Sequence, residues 1–291
     1  MDGPGRDAYL RACVAAGHDR DDCARGDGAK GTLDAGGLLS AAAWEGLQLF
    51  VAGNDNDGVL EPGEGGNCAA CHVLDWKEGP SVASELLGGP PVTVLYPPVF
   101  TDHTFDNIGV PRNPENPFYD MDEVLIPTEN GLVPINPEGA AWIDPGLGGF
   151  LASLSADAAW RSQLFTPAAI GSLSDAELVA LSAESYGKQR VPTLRNVDKR
   201  PYPGFVKAYF HNGSFKSLRA VVHFYNTRDT LPLCGPGGTP GVSCWPPPEV
   251  SANLNTTELG QLGLSAAQED AIVSFMETLS DADMPFTPHG P

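Results

Sequence analysis

Cys68-Ala69-Ala70-Cys71-His72 is the segment that most constrains this chain. Two cysteines separated by two residues and followed at once by a histidine form the attachment pattern of c-type haem. In that arrangement each sulfur is bonded to the porphyrin, and the histidine lies beneath the iron as an axial ligand. A zinc knuckle would need a second pair of ligands at matching spacing, and the sequence contains no second CxxC. A redox dithiol would need a βαβ setting, whereas a Pro/Gly-rich loop follows this motif. We therefore predict one covalently bound haem c.

Charge limits the partners of the chain. Its 291 residues carry a formal net charge of -20, which repels nucleic acid and anionic lipid and would attract a cationic redox protein. The same acidity would also keep an exported protein in solution. No apolar run reaches membrane-spanning length. We expect another redox protein or haem subunit as partner, and neither nucleic acid nor a membrane span.

The other four of the six cysteines indicate an oxidising compartment. Cys13 and Cys23 lie close in sequence, as do Cys234 and Cys244, and these two local pairings need the least loop closure. We predict disulfides Cys13–Cys23 and Cys234–Cys244, and a periplasmic or otherwise extracytoplasmic location. No signal peptide is recognisable at the start, so we expect a mature form whose export signal has been removed.

Composition divides the chain into a polar extension, 1–37, and a haem domain, 38–291. Hydrophobic periodicity and capping residues predict helices within the second part. They are Ser40–Ala52, Ser155–Phe165, Ser174–Glu184, Ser217–Tyr225 and a final helix with Ser265 as its cap, Gln268 at the box position and an apolar stripe of Ile272, Phe275, Met276 and Leu279. Residues 73–150 are rich in proline and glycine and predict long loops. This order predicts an all-α, c-type cytochrome-like domain in which the first and last helices cross beside the haem.

The second axial ligand should come from the region before the final helix. Met276 and Met284 lie within or after that helix, and Met121 is far upstream. The remaining candidates are His211, His223 and Tyr225. His223 and Tyr225 are two residues apart on a predicted helix and therefore cannot both face the iron. From the residues alone the choice stays open.

A possible calcium loop precedes the haem motif. Residues 53–64 resemble an EF-hand loop, with Asp55, Asp57 and Glu64 at ligand positions 3, 5 and 12. Two residues depart from the pattern, namely Gly53 at position 1 and Pro62 where a helix would follow. The alternative interpretation is an acidic turn between the first helix and the haem motif.

Several ordered motifs carry a family resemblance. They include Val191-Pro-Thr-Leu-Arg-Asn-Val197, Tyr209-Phe-His-Asn-Gly-Ser214 and Val221-Val-His-Phe-Tyr225, together with Phe100–Gly109, Asp144–Gly148 and Leu262–Ser265. Over about residues 40–282 the chain resembles the C-terminal haem half of the bacterial di-haem cytochrome c peroxidase family, including its MauG-type branch.

The resemblance implies roles for three residues. A tyrosine at the position of Tyr225 resembles the ligand of the MauG-type branch, which implies iron held between His72 and Tyr225. A phenolate is a hard anionic donor that stabilises ferric iron. Arg195 would suit a haem propionate, because its planar fork matches a carboxylate, although an ordinary surface ion pair is the alternative. His211 could donate to a propionate as well.

One departure from the family bears on activity. The family carries two haems, whereas this sequence contains one CxxCH. If His72 and Tyr225 both bind iron, no open position remains for peroxide. We therefore expect a haem redox protein of this family that handles oxidising equivalents, with enzymatic activity that depends on a partner haem. A pure electron-transfer cytochrome is the alternative.

Overall fold

The framework of the fold consists of five α-helices. The computed structural model describes residues 39–53, 63–73, 77–80, 93–96, 100–129, 131–156, 173–200, 202 and 204–279. The helices within these ranges are α1 (Ala41–Val51), α2 (Gly146–Ala156), α3 (Asp175–Glu184), α4 (Leu218–Thr227) and α5 (Ala266–Met276). The predicted extension, 1–37, and the predicted pair Cys13–Cys23 lie outside the described residues.

Short strands accompany the helices, so the all-α prediction is not confirmed. The strands are β1 (Lys77–Pro80), β2 (Thr93–Tyr96), β3 (Phe105–Asp106), β4 (Leu125–Thr128), β5 (Gly131–Pro134) and β6 (Gln189–Arg190). They form three antiparallel two-stranded sheets, β1 with β2, β3 with β6, and β4 with β5. Three 3-10 turns complete the described elements, at Cys68–Ala70, Pro117–Asp120 and Gly139–Ala141. None of the described helices is long and apolar enough to cross a membrane.

Serine caps begin four of the helices, as the sequence predicts. Ser40 accepts a hydrogen bond from the backbone of Ala43, and Ser217 accepts one from that of Ala220. Ser174 and Ser265 each form a complete capping box with the side chain three residues on. These contacts satisfy amide groups that the first helical turn leaves without partners.

Helix α2 (Gly146–Ala156) begins within residues 73–150, where the sequence predicts loops. Asp144 accepts a hydrogen bond from the amide of Gly146, which fixes the chain at the start of this helix. The predicted helix Ser155–Phe165 lies almost entirely outside the described residues and stays a prediction.

The first and last helices cross in close contact, which matches the predicted layout. A Cβ atom at Gly46 of α1 would overlap the backbone carbonyl of Ala271 in α5, so glycine is what permits this approach. One turn further, the rings of Phe50 and Phe275 meet edge to face with centroids 5.1 Å apart. Both rings are fully buried.

The main hydrophobic core surrounds this crossing and includes α4. Its buried members are Leu47, Phe50, Phe100, Tyr209, Phe215, Leu218, Val222, Phe224, Trp245, Leu262, Leu264, Ile272, Phe275, Met276 and Leu279. Cys68 and Tyr225 pack against its edge as partly buried residues. The core thus connects the haem motif, α4 and the helix crossing.

The predicted disulfide Cys234–Cys244 is present. Its two Cα atoms lie 4.8 Å apart, and the pair closes a loop that ends beside Trp245. Backbone hydrogen bonds between Cys234 and Trp245 and between Trp245 and Pro232 join the two ends of this loop.

Candidate functional site

The haem motif is held against the end of α1. The amide of Gly66 donates to the carbonyl of Leu49, and that of Asn67 donates to the carbonyl of Ala52. A 3-10 turn over Cys68–Ala70 follows, and the amide of His72 donates to the carbonyl of Cys68. The two cysteines and the histidine are therefore carried on one tight turn whose position is fixed by the helix.

His72 is oriented by a backbone carbonyl. Its Nδ1 lies 2.8 Å from the oxygen of Phe100, and the ring makes a second hydrogen bond with the backbone of Pro192. Histidines that bind metals are commonly held this way through their second nitrogen. Burial lowers the pKa of His72, which favours the neutral imidazole that binds iron. The environment of His72 fits an axial ligand.

Phe100 holds its carbonyl in place by an unusual backbone conformation. The residue is fully buried and has a positive φ of 53°. The neighbouring loop is anchored by the Thr101 hydroxyl, which donates to the carbonyl of Val191 over 2.7 Å. The amide of Val191 donates in turn to the carbonyl of Thr104, next to the β3–β6 pair. The segment around residue 191 thereby supports the loop that orients His72.

The two thiols are suited to covalent attachment rather than to dithiol redox chemistry. Cys68 and Cys71 are not joined to each other, and burial raises the pKa of each thiol to about 12. A nucleophilic dithiol needs a pKa lowered towards neutrality. Among the described residues, no group of three or more His, Cys, Asp or Glu side chains is arranged to hold a metal ion. The described residues therefore support neither a zinc site nor a redox dithiol at this motif.

Tyr225 lies on the same side of the molecule as the two thiols. Burial raises the pKa of its phenol, and the fields of Cys68 and Cys71 add to that rise, while the cation of Arg228 opposes it. The ring is stacked on Phe210 with centroids 6.2 Å apart and an interplanar angle of 23°. Tyr225 is thus within electrostatic reach of the haem motif.

His223 faces another direction, as its spacing from Tyr225 predicts. Its Nδ1 lies 2.9 Å from a carboxylate oxygen of Glu269 on α5. The ring also lies beside Trp245, with centroids 5.9 Å apart. The structure therefore brings Tyr225, and not His223, towards the haem motif.

The two predicted propionate partners occupy different surroundings. His211 Nε2 lies 3.9 Å from the carboxylate of Glu249, and burial lowers the pKa of its imidazole. Arg195 is half-buried, and its backbone amide donates to the hydroxyl of Thr193. For both residues a propionate contact stays a prediction.

One curated relative aligns with part of the chain. The sequence is 38% identical over 100 residues to the methylamine utilization protein MauG of Paracoccus denitrificans, a match that covers 33% of this chain and 23% of that protein. The predicted resemblance to MauG-type proteins is thereby confirmed over these 100 residues. No model of a known protein family matches the sequence.

Two solved structures show weak similarity to this chain. They are the di-haem peroxidase BthA of Burkholderia thailandensis and a variant of it, at 23% and 22% identity, with TM-scores of 0.39 and 0.43. Each match covers 87% of this chain and 46% of the peroxidase chain, so the chain spans about half the length of these proteins.

The possible calcium loop of the MauG-like chain stays a prediction. Asp55 and Asp57 lie outside the described residues, and Glu64 is partly buried two residues before Gly66.

Sequence reasoning missed two residues that orient histidines in this MauG-like chain. Phe100 acts through a carbonyl that depends on a positive φ, for which the phenylalanine side chain gives no signal. Glu269 does leave a signal, because it falls three residues before Ile272 and seven before Met276, on the apolar stripe of α5. A carboxylate at such a position must be paired if it is buried.

Proposed function

We propose that this chain is a c-type haem redox protein of MauG type, with haem attached through Cys68 and Cys71 and iron held between His72 and Tyr225. The haem would supply one-electron chemistry at its iron. Residues 38–291 would form the haem domain, in a periplasmic or otherwise extracytoplasmic location.

One observation carries the proposal. The phenol of Tyr225 lies within electrostatic reach of both attachment thiols, and His72 is oriented by the carbonyl of Phe100. Sequence spacing alone left three candidates for the second ligand, and two of them, His211 and His223, lie beside carboxylates instead.

The ring of Tyr225 is stacked on Phe210. Burial and the nearby thiols raise the pKa of the phenol, and Arg228, buried at the end of α4, offsets part of that rise. A phenolate bound to iron would stabilise the ferric state and would occupy the position that peroxide needs.

We therefore favour transfer of oxidising equivalents to or from a partner over peroxide turnover by this chain alone. The net charge of -20 supports a partner that is cationic at the contact, either a redox protein or a haem subunit. The second candidate function is a pure electron-transfer cytochrome, which the same closed coordination would also support.

Ferric-haem spectroscopy on the wild type and on Tyr225→Phe tests the ligand. We expect the variant to lose the phenolate signature and to gain fast cyanide binding, because the sixth position opens. Tyr202→Phe is the matched control, since Tyr202 is largely exposed and its ring packs on Phe205. Fast cyanide binding and peroxide turnover by the wild type would replace this proposal with a simple peroxidase.

Covalent attachment is tested separately by a pyridine haemochrome assay on denatured protein. A c-type band is expected for the wild type, and Cys68→Ala with Cys71→Ala should abolish covalent haem because no thiol remains to hold it. Haem that acidic acetone extracts from the wild type would refute attachment.

A further inference from the structure

A groove of about 700 Å³ lies apart from the haem motif. Its walls come from residues 111–114, 214–217, 219–220, 240–241 and 245–246, together with His223. Phe215, Trp245 and several prolines give it a largely apolar surface. A volume of this size is typical of small-molecule sites.

A buried hydroxyl at this groove has no partner. Ser214 Oγ is the one buried side-chain oxygen or nitrogen in the described ranges that makes no hydrogen bond. Ser214 also lines the groove. Leaving such a group without a partner costs free energy, and a bound acceptor or donor in the groove would remove that cost.

The segments that carry Ser214 and Arg112 are held side by side. Asn212 Nδ2 donates to the carbonyl of Pro111, and Asn113 Nδ2 donates to the carbonyl of Asn212, both over 2.8 Å. Both asparagines are buried. The segments that carry Arg112 and Ser214 therefore form one connected wall of the groove.

The groove carries cationic side chains on a strongly acidic protein. Arg112, Lys216 and Arg219 line it, and no carboxylate does. Arg219 is paired with Glu269 and Asp270, and Lys216 lies 3.8 Å from the exposed Glu115. Arg112 differs, because its contacts are the ring of Tyr119, 4.2 Å away, and the carbonyl of Ala140. No carboxylate among the described residues lies within ion-pair distance of Arg112.

Two further side chains are fixed at the groove. Trp245 is held by a hydrogen bond from its Nε1 to the hydroxyl of Thr227, and its ring packs against Phe215. His223 is held through Nδ1 by Glu269, which leaves Nε2 for a ligand. A flat aromatic wall and preorganised polar groups are the features that recognise a small organic molecule.

We infer that this groove binds a small organic anion with a flat apolar body, namely an aromatic carboxylate. Arg112 and Ser214 receive the carboxylate, and Trp245 with Phe215 contacts the ring. The site is independent of haem ligation, so the proposed function can fail while this inference holds, and the reverse.

Isothermal titration of the haem-loaded protein with benzoate tests the inference. Saturable binding is expected, whereas benzyl alcohol, which has the same ring without the charge, should bind at least about tenfold more weakly because it lacks the charge-assisted contacts. No saturable binding of benzoate, or equal binding of the alcohol, would overturn the inference.

Two variants locate the site. Ser214→Ala should leave thermal stability unchanged or raise it, because it removes an unpartnered hydroxyl, and should weaken benzoate binding about tenfold. Arg112→Gln should weaken binding by a similar factor. Arg200→Gln is the matched control, since it removes the same charge from an exposed residue that does not line the groove. Unchanged affinity in both groove variants would place benzoate elsewhere and refute the site.

Discussion

At the scale of single residues, Glu269 is the most heavily engaged carboxylate in the described core. It is almost fully buried and accepts hydrogen bonds from Arg219, His223 and Asn226. Asn226 also exchanges hydrogen bonds with the backbone of Leu264. One carboxylate therefore ties α4 to α5 and to the segment between them.

Replacement of this carboxylate should weaken the connection between the two helices. We expect Glu269→Gln to lower the free energy of unfolding by about 1–3 kcal/mol, because charge-assisted hydrogen bonds at a buried group are lost. Chemical denaturation of the haem-loaded protein measures the change.

Asp270→Asn is the control for that measurement. Asp270 also contacts Arg219 but is largely exposed, so a change within about 0.5 kcal/mol is expected. Equal effects of the two variants would show that burial of Glu269 does not matter.

The sequence predicted the arrangement of residues that lie close together along the chain. Cys68, Cys71 and His72 share one turn, so their spacing alone indicates their arrangement. The pairing of Cys234 with Cys244 was also accessible, because the short loop favours it. The contact between His72 and Phe100 was not, because it depends on a backbone conformation fixed by the distant segment near Val191.

At the scale of elements, the starts of four helices were predictable, and the strands and α2 were not. Ser40, Ser174, Ser217 and Ser265 cap helices by contacts within four residues. The β3–β6 pair has two residues in each strand and joins distant parts of the chain. Strands this short show no periodic pattern from which the sequence could predict them. Helix α2 was missed because Gly146, Gly148 and Gly149 have low helix propensity. Gly148 is required by packing, since a Cβ there would lie 2.5 Å from Tyr186 Cα.

The helix crossing provides the element-scale prediction. In an isolated helix, Gly46→Ala would stabilise by up to about 1 kcal/mol. At this crossing the added methyl group overlaps the carbonyl of Ala271, so we expect a loss of about 1–3 kcal/mol in the free energy of unfolding. Denaturant titration of the haem-loaded protein shows whether the free energy of unfolding falls or rises.

Glu45→Ala is the control on the same helix. Glu45 is exposed and precedes Gly46, so its replacement should change stability by no more than about 0.5 kcal/mol. Stabilisation by Gly46→Ala would contradict the close contact between α1 and α5.

At the scale of the whole molecule, the disulfide supports a region that has few regular elements. The segment from 231 to 262 contains isolated β-bridges and turns between α4 and α5. Cys234–Cys244 closes a loop in this segment next to the buried Trp245. A crosslink in such a loop stabilises mainly by restricting the unfolded chain.

Removal of this crosslink should therefore lower stability without changing the haem. We expect Cys234→Ala with Cys244→Ala to lose about 2–4 kcal/mol in thermal unfolding, with an unchanged haem spectrum. Non-reducing peptide mapping of the wild type should recover the two cysteines in one linked fragment. Free thiols at these positions would contradict the pairing.

The crossing of α1 and α5 has a consequence for the timing of maturation. Gly46 and Ala271 are near opposite ends of the described chain, and the haem motif directly follows the first of these helices. Packing α5 against α1 closes a long loop, which is slow compared with local events. Until that loop closes, the turn that carries Cys68 and Cys71 has no packed core beside it. We therefore expect haem to be attached more readily before the last helix packs than afterwards.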